Sequence, residues 1–423
     1  MAAVARRVCL SPVGALLLLA AGACGSSAKK TGFASDGGQG LLDCGHDDCD
    51  GDGYTVAQGD CNDADPTVNP EAFDFPDDGV DNDCDGHADD PVLACETIPA
   101  QSPGTPEDFA RAADLCAQHA KTKAGTVFDP LVSASWGQVQ GLGPGETLWT
   151  SRTKPVQVAI ASSFGGNQPR QGRTMIGLAN GPWAAADPRA SAALDPAGFH
   201  LNDACSDIPL AGMDCASLTN GSEGGMVSVQ DWAELALNVK IPSNVQAAVF
   251  DFAFYSSEFN QWWDSSANDA FFVLVTSKNF TGQNVARDKN GLAITINSGF
   301  FQLCPAPPGP AGLSPDKAAA LASCAGVGGA PAQSIVGTLA GTGYDGAAVG
   351  TDDTVLAVNG SEYVYGGGSG WLTAKFPVVP GEELAMRIVI ADAFDGLKDS
   401  AVLLDAIRWE RSSETGVGRP TIQ

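Results

Sequence analysis

The chain has 423 residues, of which 50 are Asp or Glu and 23 are Lys or Arg, giving a formal charge of −27 at neutral pH. That balance speaks against a nucleic-acid partner, because phosphate binding is supplied by Lys and Arg, and it points to cations instead. Twelve cysteines in a chain of this size suit an oxidising compartment.

The first residues predict export. Arg6 and Arg7 form a short basic region, and the apolar run Val13 to Gly22 contains Leu16, Leu17, Leu18 and Leu19. The run is too short to span a bilayer but has the length of a signal-peptide core. The small residues after it end in Ala21-Gly22-Ala23-Cys24, which resembles a bacterial lipobox, although Leu is commoner at the place of Ala21. The resemblance implies removal of residues 1–23, diacylation of Cys24 and membrane anchoring by lipid alone. An ordinary signal peptide cut nearby, with Cys24 incidental, is the plainer alternative. Residues 24–42, with Lys29 and Lys30 among Gly and Ser, read as a flexible tether. Gly25 lacks the Asp that retains many lipoproteins at the inner membrane, so the expected address is the outer membrane or cell surface. No other stretch is apolar for long enough to cross a membrane.

Residues 43–90 hold sixteen Asp and one Glu with no Lys or Arg. Asp48, Asp50 and Asp52, followed by Gly53, stand at positions 1, 3, 5 and 6 of an EF-hand-type calcium loop. The alternation lets several oxygens converge on one hard ion, and the glycine permits the sharp turn. The pattern recurs at Asp81, Asp83, Asp85 and Gly86, with Asp89 at the ninth position; Asp60, Asn62, Asp63 and Asp65 form a third oxygen cluster. No Glu closes the loops and no flanking helices are evident, so the segment reads as a loop-only Ca2+ module. Without a cation, so many carboxylates and so few large apolar residues predict a disordered tail. With calcium, binding energy becomes folding energy.

The runs Asp50-Gly-Asp52-Gly53-Tyr54, Gly59-Asp60-Cys61-Asn62-Asp63, Asp65-Pro66-Thr67-Val68-Asn69-Pro70 and Asp78-Gly79-Val80-Asp81-Asn82-Asp83-Cys84-Asp85-Gly86 resemble the MopE-type metal-binding motif, common in secreted proteins of myxobacteria. The family usually has a cysteine where Asp77 stands here, which leaves Cys84 to pair with Cys61, or with Cys44 or Cys49. The family name implies copper. Copper prefers imidazole or sulfur, and the segment offers only His46 and His87, so the ligand chemistry favours calcium, with copper the alternative.

From Pro91 the composition changes. Thr105-Pro106-Glu107-Asp108 is an N-cap with Pro at the first helical position, predicting a short helix that ends near Lys123 and is stapled by Cys95–Cys116. Beyond it the period falls to two. Val156 to Ile160, Ala247 to Phe254, Phe271 to Val275, Leu292 to Ile296, Leu384 to Ile390 and Ala401 to Ile407 read as strands between Gly, Pro and Asn turns. Residues 91–410 are therefore expected to form a mainly β, antiparallel, jelly-roll-like sandwich, with 411–423 a polar tail. Local disulfides Cys205–Cys215 and Cys304–Cys324 are the foremost remaining pairs.

Phe250-Asp251-Phe252, Tyr255-Ser256-Ser257-Glu258-Phe259, Asn268-Asp269-Ala270-Phe271-Phe272, Gly370-Trp371-Leu372 and Asp392 to Val402 resemble the choice-of-anchor L domain of secreted bacterial proteins. The resemblance implies no biochemical activity. Glu258, Asn268, Asp269, Asp392, Asp395 and Asp399 are oxygen ligands at the ends of apolar strands and form a candidate second cation site, with turn capping as the alternative. Motifs for metalloprotease, phosphate-loop or nucleophile-elbow chemistry are absent, and a composition with four histidines speaks against a His-based nucleophile system. No enzyme is expected; a polysaccharide hydrolase would need paired carboxylates such as Asp251 with Glu258, or Glu258 with Asp269. The leading expectation is a calcium-stiffened surface lipoprotein that contacts a matrix or glycan partner, with Trp262, Trp263 and Trp371 as candidate contact residues.

Overall fold

The computed structural model describes residues 47–90, 95, 104–116, 128–140, 149–151, 153, 157–183, 199–201, 227–258, 269–287, 293–296, 300, 339, 341–344, 366–393, 398–413 and 416–418. All of them belong to one compact unit, Leu41–Gln423. The signal and tether, Cys24, His46, Cys205, Cys215, Trp262, Trp263, Asn268, Cys304, Cys324 and Asp395 lie outside the described residues.

The strands are β1 (Leu131–Trp136), β2 (Gln138–Gln140), β3 (Trp149–Ser151), β4 (Val158–Ala161), β5 (Met175–Ala179), β6 (Phe199–Leu201), β7 (Val227–Lys240) and β8 (Ala247–Ser256). They continue with β9 (Ala270–Thr276), β10 (Gln283–Asn284), β11 (Ile294–Thr295), β12 (Gly367–Pro377), β13 (Glu383–Ala393), β14 (Ser400–Glu410) and β15 (Gly416–Gly418). One sheet runs β1-β7-β13-β9-β10, with β6 also on β7 and β11 also on β9; the other runs β15-β12-β8-β14-β5-β4, and β2 pairs with β3 alone. Every pairing is antiparallel. The expected mainly β, two-sheet architecture is present.

Period-two alternation builds the core. Ala233, Leu235, Leu237 and Val239 of β7, Phe271, Val273 and Val275 of β9, and Leu384, Met386, Ile388 and Ile390 of β13 turn inward from the first sheet. They meet Phe250, Phe252 and Phe254 of β8, Leu372, Ala374 and Phe376 of β12, and Val402 and Leu404 of β14. The other face of β8 carries Ala253 and Tyr255 into a second cluster with Phe164, Met175, Leu403 and Tyr344. With both faces covered, β8 is buried along its whole length, which is why its sequence is an almost unbroken apolar run.

The helix α1 (Pro106–Ala112) starts at the expected cap: the Thr105 side chain accepts from the Asp108 amide, and Pro106 fills the first turn. It ends well before Lys123. Asp114 takes a left-handed conformation (φ 67°) and the chain turns away, with the Asp114 carboxyl buried against Asp405 and the Cys95 and Ala406 amides. Cys95 and Cys116 are joined across this turn, as expected.

The acidic segment is packed onto this framework. Phe73 and Phe75, edge to face at 4.8 Å, belong to the same buried core as the two sheets. The extreme C-terminal residues described are also used, since β15 extends the edge of β12.

Candidate metal centre

Two loops of the acidic segment close on themselves in the same way. In the first, Asp48 Oδ1 accepts the Gly51 amide (2.6 Å) and Asp48 Oδ2 the Gly53 amide (2.9 Å). In the second, Asp81 Oδ1 accepts the Asp85 amide (3.1 Å) and Asp81 Oδ2 the Gly86 amide (3.0 Å). The leading Asp thus satisfies backbone donors that a loop this tight leaves without partners. Gly53 (φ 100°) and Gly86 (φ 104°) occupy left-handed positions, where a Cβ would be strained.

The following Asp residues each turn one oxygen to the backbone. Asp50 Oδ1 accepts from Asp52 N, Asp52 Oδ1 from Tyr54 N, Asp60 Oδ1 from Asn62 N and Asp63 Oδ1 from Cys49 N. The remaining oxygens gather. Ligand atoms of Asp48, Asp50 and Asp52 lie within 4.8 Å of one another, as do those of Asp50, Asp60 and Asp63, and those of Asp81, Asp83 and Asp85. Asp50 Oδ2, Asp52 Oδ2 and Asp60 Oδ2 are buried and receive no hydrogen bond. A buried carboxylate oxygen without a donor carries a desolvation cost, and a hard cation relieves it. The residues present therefore suit a divalent ion bound through oxygen.

The electrostatics follow from that crowding. Burial pushes Asp60 up to about 6, with Asp52, Asp50 and Asp63 adding repulsion. Burial pushes Asp83 up to about 7, with Asp85, Asp74 and Asp81 behind it. Asp50 and Asp52 are raised by the same causes. Asp48 moves the other way, lowered chiefly by the Gly53 and Gly51 amides. Among the described residues the segment's ion pairs are Lys240–Glu71 and Arg411–Asp78, both outside the three groups.

Other predicted ligands have different occupations. Asp89 Oδ1 accepts the Asp78 and Gly79 amides, each at 2.7 Å, and so holds the preceding turn. Asp65 Oδ1 accepts from the Thr67 amide and hydroxyl. Asn62 gives its amide to Asp60. The His87 imidazole joins none of the three groups; its backbone amide donates to Asp85. Cys61 and Cys84 form a disulfide, which settles the pairing left open by sequence and ties the middle cluster to the second loop. Cys49 is disulfide-bonded as well.

The candidate second site is assembled in part. Glu258, Asp269, Asp392 and Asp399 are all buried. Asp269 N donates to Glu258 Oε2 (2.9 Å), and Ser400 Oγ donates to Asp269 Oδ2 (2.5 Å). The Asp399 carboxylate lies where a Cβ on Gly181 would stand, 1.8 Å from that position. Burial, then Asp231, pushes Asp399 up to about 8; burial, then Glu258, raises Asp269. Unlike the three groups of the acidic segment, these residues do not bring three ligand atoms within 4.8 Å among the described residues. Of the two carboxylate pairs considered for hydrolysis, Asp251 is held by Thr373 and by Arg170 and Arg408. Trp371 is half-buried against the second hydrophobic cluster.

Of the buried Asn69, Asn82 and Asn244, sequence reasoning named the first two only as part of the motif resemblance and passed over Asn244. Asn82 lies between two ligands, Asp81 and Asp83, a position that marks it in retrospect. The fold and the carboxylate groups together define a mainly β protein carrying an oxygen-rich metal-binding segment. Residues 60–90 match the Cu-binding MopE family model, described as a metal-binding motif. The match takes in Asp60, Asp63 and the whole second loop, and leaves Asp48, Asp50 and Asp52 outside. No curated protein and no solved structure matches the chain.

Proposed function

We propose that this chain is an exported cell-surface lipoprotein that binds Ca2+ through its acidic segment and presents the β-sandwich to a surface or matrix partner. The observation that carries the metal choice is the trio of buried, donor-less oxygens on Asp50, Asp52 and Asp60. Every ligand atom in the three groups is a carboxylate oxygen, the donor that hard cations prefer. The lipid anchor rests on Cys24 and the preceding small residues, and the choice-of-anchor L resemblance supports a surface role without chemistry. We propose binding rather than catalysis. The family name favours a second reading, an envelope copper protein, for which His46 and His87 are the imidazoles available in the segment.

Isothermal titration of CaCl2, then of Cu(II), into the soluble chain beginning at Ser26 tests the choice. The expected result is calcium heat with more than one ion per chain. Asp60→Asn should weaken that binding by about tenfold, or 1.4 kcal/mol. Calcium silence with tight copper binding, lost on replacing His46 and His87, would make the copper reading the correct one. Cys24→Ser should release the full-length protein from the membrane fraction; unchanged membrane retention would remove the lipid anchor from the proposal.

A further inference from the structure

One residue, Asn82, joins the second metal loop to the aromatic pair that enters the sandwich core, and Asn69 links Asn82 towards the first loop. Asn82, between Asp81 and Asp83, accepts the Phe75 amide on its Oδ1 (3.2 Å) and donates from Nδ2 to Thr67 O (3.4 Å). Its backbone carbonyl accepts the Asn69 amide (2.9 Å). The Asn69 side chain in turn lies near the Asp52 carboxylate of the first loop and favours its charged form. The segment between them is gripped by the β7–β8 turn. Asn244 Oδ1 accepts Phe73 N (2.8 Å), and Asn244 Nδ2 donates to Phe73 O (2.9 Å) and Thr67 O (3.2 Å). Ser243 adds Ser243 N to Glu71 O (3.0 Å) and Ser243 Oγ to Asn69 Oδ1 (2.8 Å). Phe73 and Phe75 are buried in the main core, and Arg411, just after β14, covers the Phe75 ring at 4.1 Å.

From this connectivity we propose that cation binding locks the β-sandwich itself: ions that order the two loops fix Asn82 and Asn69, and so hold Phe73 and Phe75 in the end of the core. The inference rests on the cation-binding reading above. It differs from a bead-on-a-string picture, in which a calcium segment would fold beside a domain indifferent to it. Coupling of this kind is reciprocal: whatever calcium adds to the hold of the plug, a seated plug adds to calcium affinity.

The eight tryptophans all lie beyond residue 130 and the acidic segment has none, so tryptophan emission reports the β-domain alone. The full mature chain is melted with tryptophan detection in CaCl2 and in EDTA, and calcium binding is measured in parallel by titration calorimetry. The expected result is a calcium-dependent rise of several degrees in the tryptophan-detected Tm. Asn244→Ala should shrink that rise and weaken calcium binding by about tenfold, within the usual span of coupling between sites. A role confined to holding the turn would instead lower Tm equally in both buffers and leave calcium affinity alone, which would overturn the inference. Calcium heat with no change in the wild-type tryptophan Tm would also overturn it while the cation reading stands. Absence of calcium heat would remove both.

Discussion

The acidic segment and the β-sandwich share one core and are built by opposite means. In the sandwich, alternating apolar side chains from two sheets interdigitate, and buried carboxylates such as Asp251 and Glu234 are held by arginines. In the segment, carboxylates are the scaffold: Asp48, Asp81 and Asp89 each take two backbone amides, replacing the ladders that regular structure would supply. Among its described residues, the regular structure is a single 3-10 turn, Val56–Gln58. The difference teaches that one chain can fold one part by removing oil from water and another by turning carboxylates onto its own backbone amides, which leaves oxygens such as Asp50 Oδ2 without donors.

The largest expected effect sharpens the sandwich half of that contrast. Phe252 is fully buried and packs on Phe271 with ring centroids 5.1 Å apart. Phe252→Ala should cost about 3–5 kcal/mol in urea unfolding, with the same loss in calcium and in EDTA. A loss that differs between the two buffers would mean that the Phe252–Phe271 packing and the ion-ordered loops are energetically coupled.

The next effect belongs to the segment. Cys61 and Cys84 close a loop with a separation of 23 residues, for which the chain-entropy account gives about 3 kcal/mol. Replacing both by Ser should cost most of this in EDTA and lower calcium affinity, because the disulfide holds Asp60 and Asp63 near the second loop. If the double variant binds calcium as tightly as the wild type, the two clusters act independently.

How much of this contrast was legible in the sequence follows the same physics. The metal loops could be read because one Asp at every second position and a glycine at the turn are a local code. The inner strands β8, β9, β13 and β14 could be read because burial on a sheet imposes a run or a period of two. Strand β7, the longest at 14 residues, escaped because Gln230, Asp231 and Glu234 interrupt its start, and the register slips opposite Ile390 and Asp392. Only Ala233, Leu235, Leu237 and Val239 carry the signal. Strand β12 opens on glycines: a Cβ at Gly368 would meet the Tyr255 ring at 2.7 Å, so close packing there demands the residue that local reading assigns to a turn. The seating of the acidic segment was not legible at all. It depends on Asn244 meeting Phe73 across 171 positions of sequence, and an Asn in a β-turn has many local reasons to be there.

The smallest effect per step separates the two regions by pH. Burial pushes Asp399 up to about 8 from an ordinary 3.8, with Asp231 adding repulsion. A raised carboxyl is protonated in the folded chain while the unfolded chain has already lost its proton. Its contribution to stability is complete below about pH 4 and is lost as pH rises through about 8. Across that window Asp399 should lower stability by at most about 1.4 kcal/mol per pH unit. Asp399→Asn fixes the neutral form in nearly the same volume against Gly181, so the EDTA-form stability of this variant should fall less steeply with pH than that of the wild type. Calcium binding moves in the opposite sense, because Asp60 and Asp83 must be ionised to serve as ligands, and its affinity should climb through pH 6 to 7 in both proteins alike. Urea midpoints and calcium titrations at half-unit pH steps measure the two trends together. Equal stability slopes in the two proteins would mean that Asp399 is ionised in the folded chain even without a divalent ion. The buried carboxylates at that end of the sandwich would then carry charge in the folded chain, as those of the acidic loops do.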